Sequence, residues 1–255
     1  MSNLPVLPAP SFETEIAALA RAWRAANHPV MSGLNALGGG IEAQMAKLPA
    51  ATRARIDAAV KQALHAGLGL SARLPRMGKR SGTALAAVVG AVGGAAGMAG
   101  TLAELPVSVT LILQAIRDEA EAAGFDPDLP AVKAACLQVL AAGSPAEGDD
   151  GVDTAFLSAR LAVSGAALEK MIQTVAPQLT IRLSQKLAGQ SVPVLGAVAG
   201  AAMNATYIGY FREMAKIRFA LMRLSVRHGG EEVVTAFRAA VGPKRLARQG
   251  PPPGL

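Results

Sequence analysis

The sequence predicts an all-α fold: a single multi-helix bundle with two close-packed central helical segments rich in glycine and alanine. Hydrophobic residues make up 51% of the 255 residues, but aromatic residues only 4%. This mixture favours helices, because the alternation of β-branched and aromatic residues that is typical of strands is nearly absent. The length allows one substantial core, so we expect one domain.

The first small-residue segment runs from Thr83 to Ile116, and its only charged residue is Glu104. Glycines recur in it at four-residue spacing, as in Gly90 and Gly94. A glycine inside a helix costs about 1 kcal/mol relative to alanine, so such a helix needs compensation, for which the close approach of another backbone is suited. Pro106 is expected to divide the segment into two helices beside Glu104.

The second small-residue segment, residues 187–211, also lacks charged side chains and carries Gly196 and Gly200 four positions apart. If the two segments pack together, each supplies the close surface that the glycines of the other require. We therefore predict that they are partners and that Gly94 and Gly200 lie near one another.

Apolar residues at helical spacing predict further helices on either side of these segments. Phe12, Ile16, Leu19 and Trp23 form one face of the first helix, with Ser11 as its N-cap. The remaining helices are placed at 51–66, where Gly67 and Gly69 end the pattern, at 131–142, from Asp153 to Val175, around Phe219 to Leu224, and around Val233 to Phe237.

The ends of the chain differ from its middle in composition. Prolines favour an extended segment over residues 1–11, and the proline-rich, basic residues 243–255 are expected to be disordered. The helical domain is thus predicted to cover residues 12–242. The start lacks a secretory signal, and the single cysteine, Cys136, fits a reducing compartment, so we expect a cytoplasmic protein at the inner face of the cytoplasmic membrane.

The net charge of +7 is unevenly distributed. Acidic residues predominate between Glu104 and Asp153, whereas basic residues cluster before and after this region, beside apolar segments. Basic clusters beside apolar segments are typical of contact with anionic lipid head groups, while nucleic-acid sites usually add aromatic stacking or a reading helix. The pattern favours a lipid surface and disfavours nucleic acid.

The candidate lipid-binding residues form a basic cluster and an aromatic-to-basic edge of the kind that lies at a head-group boundary. They are Arg73, Arg76, Lys79 and Arg80 in the cluster, and Tyr207, Tyr210, Phe211 and Arg212 in the edge. Packing of the edge into a soluble core is the alternative. Shallow insertion is favoured over spanning, because alanine and glycine provide little transfer free energy.

Polar residues within apolar surroundings form another set of candidates. Glu104, Gln190 and Asn204 must each find a partner or lie at a boundary. An interhelical hydrogen bond is the simpler interpretation, and a role in ligand binding or transport is the alternative.

Motifs for catalysis are absent from the sequence, which has no P-loop, no G-x-S-x-G elbow and no H-E-x-x-H pair. Asp149, Asp150 and Asp153 are weak candidates for a hard cation, since helix capping also explains them, and Arg160 is placed to pair with one of them. The apolar neighbours of Cys136 predict a buried, inert thiol. We expect no cofactor and name no catalytic residue.

A set of short motifs occurs in a fixed order over about residues 80–240: Leu105-Pro106, Ile116-Arg117, Gly124-Phe125-Asp126, Ala135-Cys136-Leu137, Asp149-Asp150, Arg160, the run from Lys186 to Gly196, and Asn204. The order of these motifs resembles the EcsC family. The resemblance implies a bacterial helical protein, associated with a membrane and without an established reaction. Phe156 and Leu157 depart from the tyrosines expected in many relatives. Lys186 is a further polar-core or ligand candidate.

Three functions from different classes remain open on the sequence. The first is a noncatalytic protein that binds anionic lipid peripherally or by shallow insertion at the inner membrane, as an accessory to a transporter or envelope process, with a membrane-protein partner. The second is a metal-dependent hydrolase centred on the acidic loop at 149–153. The third is a soluble homo-oligomeric scaffold. The first accounts best for the basic clusters beside apolar segments.

Overall fold

The computed structural model describes residues 10–26, 50–142, 168–177 and 193–242, and within these ranges every regular element is an α-helix. The predicted all-α fold is confirmed. The sequence predictions for residues 1–9, 27–49, 143–167, 178–192 and 243–255 lie outside the described residues. The helices are α1 (Phe12–Ala26), α2 (Ala50–Ser71), α3 (Lys79–Ala95), α4 (Gly97–Ala122), α5 (Pro130–Ala142), α6 (residues 168–177), α7 (Pro193–His228) and α8 (Gly230–Val241).

Local chemistry accounts for two helix ends. Ser11 caps α1 as predicted, since the backbone N–H of Thr14 donates to Ser11 Oγ at 3.3 Å. Gly124 follows α4 with a φ of 87°, and the N–H of Phe125 donates back to Ala120 O at 3.0 Å. A positive φ of this kind favours glycine, so the turn at Gly124 ends α4.

The division of the first small-residue segment lies at Ala96, and the prediction of a break beside Pro106 is wrong. Pro106 lies inside α4, although an interior proline loses a backbone hydrogen bond and its ring crowds the preceding turn. The burial of Leu105, Val109 and Leu113 on this helix outweighs that cost. The chain reverses instead where its side chains are smallest: a Cβ atom added at Gly100 would overlap Ala96 and lie 2.6 Å from Gly93 O. Only glycine at position 100 permits so tight a reversal.

Two helices are longer than predicted. α2 continues through Gly67 to Ser71, because Gly67 is buried against Leu113, whose Cδ1 would lie 3.0 Å from an added Cβ. α7 runs unbroken for 36 residues, so the predicted separate helix around Phe219 is its second half. Tertiary packing thus outweighs the local glycine penalty in both helices.

The main hydrophobic core is formed by helices packed around α4 and the second half of α7. α2 and α5 pack against α4, and α1 and α8 pack together against the second half of α7. Large side chains that are fully buried there include Ile56, Leu113, Leu137, Phe219 and Phe237. α3 lies beside this core and contacts α4 and α7.

Candidate functional site

α3 lies in a groove between α4 and α7 and presents its small residues to them. Its buried face consists of Gly82, Ala86, Gly90, Gly93 and Gly94. A Cβ atom added at Gly90 would overlap the carbonyl oxygen of Gly200, and one added at Gly200 would overlap that of Gly90 and lie 3.3 Å from Gly94 Cα. The two backbones touch, which confirms that the small-residue segments are partners.

The opposite face of α3 is apolar and exposed. Leu85, Val88 and Val92 are 43%, 60% and 68% exposed, and their spacing of three and four residues places them on one side of the helix. We call these three residues the outer face. No charged residue occurs from Ser81 to Ala95. The helix therefore turns these three large side chains to solvent and its glycines to the protein, while Val89 is partly buried against the bundle.

Basic residues precede the outer face in the chain. We call residues 72–80 the basic segment; they comprise the loop between α2 and α3 and the first two residues of α3. The segment contains four exposed basic side chains: Arg73, Arg76, Lys79 and Arg80. Arg76 pairs with Glu121 at 3.4 Å and Lys79 with Glu213 at 3.4 Å. Within the described ranges, Arg73 and Arg80 form no ion pair. The segment also carries Leu74, an exposed leucine.

Buried polar side chains hold the basic segment in place. Asp118 Oδ2 accepts a hydrogen bond of 3.2 Å from the Met77 N–H, and Arg212 Nη2 donates to Met77 O at 3.4 Å. Gln114 Nε2 donates to Asp118 Oδ1 at 2.9 Å and to Pro75 O at 3.5 Å. We call Gln114, Asp118 and Arg212 the latch, because they join α4 and α7 to the loop that leads into α3.

Two acidic side chains lie close to the buried guanidinium group of Arg212, and its positive charge only partly offsets the effect of their burial. Arg212 is 6% exposed and lies 4.0 Å from Asp118 Oδ2 and 3.5 Å from Glu119 Oε1. Burial raises the pKa of both Asp118 and Glu119 above the ordinary carboxyl value, in spite of the arginine. Burial alone would also raise the pKa of Glu213, but hydrogen bonds and charge from Lys216 and Lys79 outweigh it and lower this pKa.

The aromatic-to-basic edge predicted as a lipid contact is not a surface in this fold. Tyr210, Phe211 and Arg212 are buried, and Tyr207 is partly buried. Tyr210 and Phe211 belong to the main core, with their ring centroids 5.6 Å apart. The correction has a simple cause: α7 passes through the bundle at these residues, so that other helices cover them.

Two predicted polar candidates lie against the glycines of α3, Glu104 beside Gly93 and Asn204 beside Gly90. Asn204 Nδ2 donates to Ser108 Oγ at 3.0 Å, the interhelical hydrogen bond that the sequence led us to expect. Glu104 is buried against Gly93, where an added Cβ would lie 2.5 Å from the carboxyl carbon. Glu104, Ser108 and Asn204 form what we call the polar junction, which shares the groove with the latch.

The remaining candidates are placed as follows. Arg160, Lys186 and Gln190, and the acidic residues Asp149, Asp150 and Asp153, lie outside the described residues. Among the residues that the structure does describe, no group of three His, Cys, Asp or Glu side chains could hold a metal ion. Cys136 is buried, and burial raises the pKa of its thiol to about 12, which agrees with an inert thiol.

Sequence reasoning missed the outer face and two members of the latch. The signal for the outer face was present, because the larger residues of α3 recur on the side opposite its glycines. Gln114 and Asp118 gave no such signal, since their roles depend on a loop packed 40 or so residues earlier in the chain. In none of the described ranges is there a helix long and apolar enough to cross a membrane.

The comparisons with known proteins identify a family. No curated protein and no solved structure matches the chain. The model of the EcsC protein family matches residues 58–224, which is more than half of the sequence. The match begins within α2 rather than at about residue 80, and it ends in α7 before α8. It contains α3, the basic segment, the latch and the polar junction, and the chain belongs to the EcsC protein family.

Proposed function

We propose that the protein binds anionic lipid peripherally, with α3 as the element that enters the membrane surface. The observation that supports this proposal is the outer face: three large apolar side chains exposed on the part of α3 that carries no charge, directly after a segment with four cations. Monomeric soluble proteins usually expose large apolar residues singly, so a continuous exposed apolar helix face calls for a partner.

The charge of the basic segment selects the partner. Phosphate-bearing head groups attract cations, and each Lys or Arg close to an anionic surface contributes about 1 kcal/mol. Burial of one Val or Leu side chain contributes about 1.5–3 kcal/mol when it is complete. Two Arg residues without ion pairs in the described ranges, Arg73 and Arg80, together with a partly inserted outer face, are sufficient for reversible binding.

Insertion on this proposal is shallow. α3 has 17 residues, which correspond to about 25 Å of helix, less than the hydrocarbon thickness of about 30 Å. The helix would lie along the membrane surface, with Lys79 and Arg80 at the head groups and the outer face among the acyl chains. Salt would weaken the contribution of the basic side chains to membrane binding and leave the contribution of the apolar side chains unchanged.

Vesicle sedimentation tests the proposal. We expect binding to phosphatidylglycerol vesicles at low salt and little binding to phosphatidylcholine vesicles. Val88→Asp combined with Val92→Asp should weaken binding at least tenfold, because two charges replace apolar contacts. Val226→Asp is the matched control, since Val226 is 60% exposed like Val88 but lies near the far end of α7. Equal binding of all three proteins would overturn the proposal.

The basic segment needs its own test. Arg73→Gln and Arg80→Gln should each weaken binding to anionic vesicles about fivefold, the ratio that about 1 kcal/mol per cation implies. Arg223→Gln changes an exposed arginine on α7 and should leave binding within about twofold. If the control weakens binding as much as the two test variants, net charge rather than this segment is responsible, and the proposed site is wrong.

The cellular role extends from the same proposal. The protein would act without catalysis at the inner face of the cytoplasmic membrane, as an accessory to a transporter or envelope process. Fractionation of native cells separates the states: a peripheral protein leaves the membrane in a high-salt or carbonate wash. A protein that stays soluble at low salt and forms an oligomer disrupted by Val88→Asp would contradict lipid binding and favour a scaffold.

A further inference from the structure

α3 is attached to the bundle mainly by small residues, with the partly buried Val89 and the Lys79–Glu213 ion pair as further contacts. Ala86 is its one fully buried hydrophobic side chain, and no residue of α3 belongs to the main core. Ala86 packs in a separate small cluster with Leu111, Ala115 and Ile208. Separating α3 from the bundle would therefore expose this small cluster but would leave the main core intact.

The groove beneath α3 contains polar side chains as well as the small apolar cluster around Ala86. It contains the polar junction, with the hydrogen bond from Asn204 to Ser108 and with Glu104 against Gly93. At its other end, Arg212 of the latch approaches α3, since an added Cβ at Gly82 would lie 3.5 Å from Arg212 Nη2. Water can solvate such groups, so exposing this groove is less costly than exposing an apolar one.

From Ser81 to Ala95, α3 carries no charged residue on any side. In the groove only the outer face can contact lipid, whereas a released α3 could place its whole circumference from Ser81 to Ala95 among acyl chains. A helix without charged residues on any face is more stable when surrounded than when half exposed to water. Lipid therefore favours the released arrangement more than the docked one.

We infer that α3 leaves its groove between α4 and α7 when the protein binds a membrane. This inference rests on the proposed lipid binding and specifies its conformational step. The loop at 72–78 and the reversal at Ala96 flank α3 and provide its two joints. The latch holds the first joint through Met77, so the basic segment stays close to the body of the protein while the helix moves.

A reversible crosslink between α3 and α4 tests the movement. Ala86→Cys and Ala115→Cys place two thiols in the same buried cluster, and a short bismethanethiosulfonate crosslinker, removable by reductant, joins them. α4 is anchored in the main core by Leu113 and Ile116, so the crosslink fixes α3. The crosslinked protein should bind phosphatidylglycerol vesicles at least tenfold more weakly than the same protein after reduction. Circular dichroism with thermal melting verifies that both forms fold.

The two possible failures differ in outcome. If the crosslinked and reduced forms bind vesicles equally, α3 binds while docked and the inference is overturned, although lipid binding by the outer face stands. If neither the reduced double variant nor the unmodified protein binds, the proposed function falls and the inference with it.

A distance measurement tests the same movement without a crosslink. Spin labels at Val88→Cys and Val226→Cys occupy exposed positions on α3 and α7. The buried thiol of Cys136, with its pKa raised to about 12, stays unlabelled. The distance between the labels should change and its distribution should broaden when phosphatidylglycerol vesicles are added. An unchanged distance in vesicle-bound protein would overturn the inference.

Discussion

α3 and α4 come from one apolar stretch of sequence and differ in what they bury. α3 turns glycine and alanine to its neighbours and exposes Leu85, Val88 and Val92, whereas α4 buries Leu105, Val109, Leu113 and Ile116 in the main core. Both helices contain a long stretch without charge, residues 81–95 in α3 and residues 105–116 in α4. The comparison teaches that apolar composition alone does not place a helix in the core. The size of the residues on the packed face decides how firmly it is held.

The largest expected effect comes from truncating one large side chain in each helix. Leu113→Ala should lower the free energy of unfolding by about 2–5 kcal/mol, because it leaves a cavity in a fully buried site. Val88→Ala on α3 should change it by less than about 0.5 kcal/mol, since the side chain is exposed. Chemical denaturation of both variants measures the contrast, and similar losses would show that α3 is part of the core.

A second effect concerns the crossing of α3 and α7. Gly90→Ala should lower the free energy of unfolding by about 1–3 kcal/mol, because the new Cβ would overlap the Gly200 carbonyl and the helices must move apart. Gly209→Ala on α7 is the control: an added Cβ there meets nothing within 4 Å, so we expect a gain of up to about 1 kcal/mol from helix propensity. Thermal melting of both variants separates the cost of the overlap at Gly90 from the gain in helix propensity that both substitutions share.

Substitutions in the polar junction should change the free energy of unfolding less than Leu113→Ala or Gly90→Ala. Asn204→Ala removes a hydrogen bond to Ser108, and a double-mutant cycle with Ser108→Ala should give a coupling free energy of about 0.5–1.5 kcal/mol. If Asn204→Ala leaves stability unchanged but weakens vesicle binding, the residue has a role in ligand or lipid binding instead. The same preparations provide both measurements.

The smallest effect is a pH dependence of the free energy of unfolding, set by Asp118 of the latch and by its neighbour Glu119. Burial raises the pKa of Asp118 and of Glu119 in the native state. Between the unfolded and the native pKa of each, the native state holds a proton that the unfolded state has lost, so the free energy of unfolding falls as the pH rises through this window. Asp118→Asn combined with Glu119→Gln should flatten that fall in urea titrations.

An opposing contribution comes from Glu213. Its lowered pKa adds stability above the unfolded value, which is lost as the pH falls through the native pKa. Glu213→Gln should therefore remove a loss of stability that occurs at acid pH, below the ordinary carboxyl pKa, which is a change of opposite sign in a lower pH range. A steeper decline in the Asp118 and Glu119 variant would contradict the assignment of the latch.

Several features of the fold could be predicted because they depend on neighbouring residues. Ser11 caps α1, and Gly124 ends α4; both follow from backbone chemistry within one turn. The four-residue spacing of glycines predicted the contact of α3 with α7. The structure confirms it, since a Cβ atom added at Gly90 would overlap the carbonyl oxygen of Gly200. The resemblance to the EcsC family is likewise confirmed, over residues 58–224.

The misplaced boundaries share a physical reason. Pro106 was expected to divide the segment into two helices and Gly67 to break one, yet both lie inside helices. Local propensities of this size, about 1 kcal/mol for a glycine and about 3 for a proline, are outweighed when the helix buries a long apolar face. The actual reversal at Ala96 depends on the contact of Gly100 with Gly93, which exists only after the two helices pack.

The sequence by itself determined the helical class, the charge-free segments and the glycine spacing that joins them, since composition and periodicity are local properties. Only the tertiary structure decided which apolar residues are buried. The same helical face pattern fits a core or a surface until neighbours are known, so Tyr210, Phe211 and Arg212 could be taken for a surface edge and prove to be buried. The outer face of α3 remains exposed because α4 and α7 pack against the opposite side of the helix, which carries its glycines and Ala86.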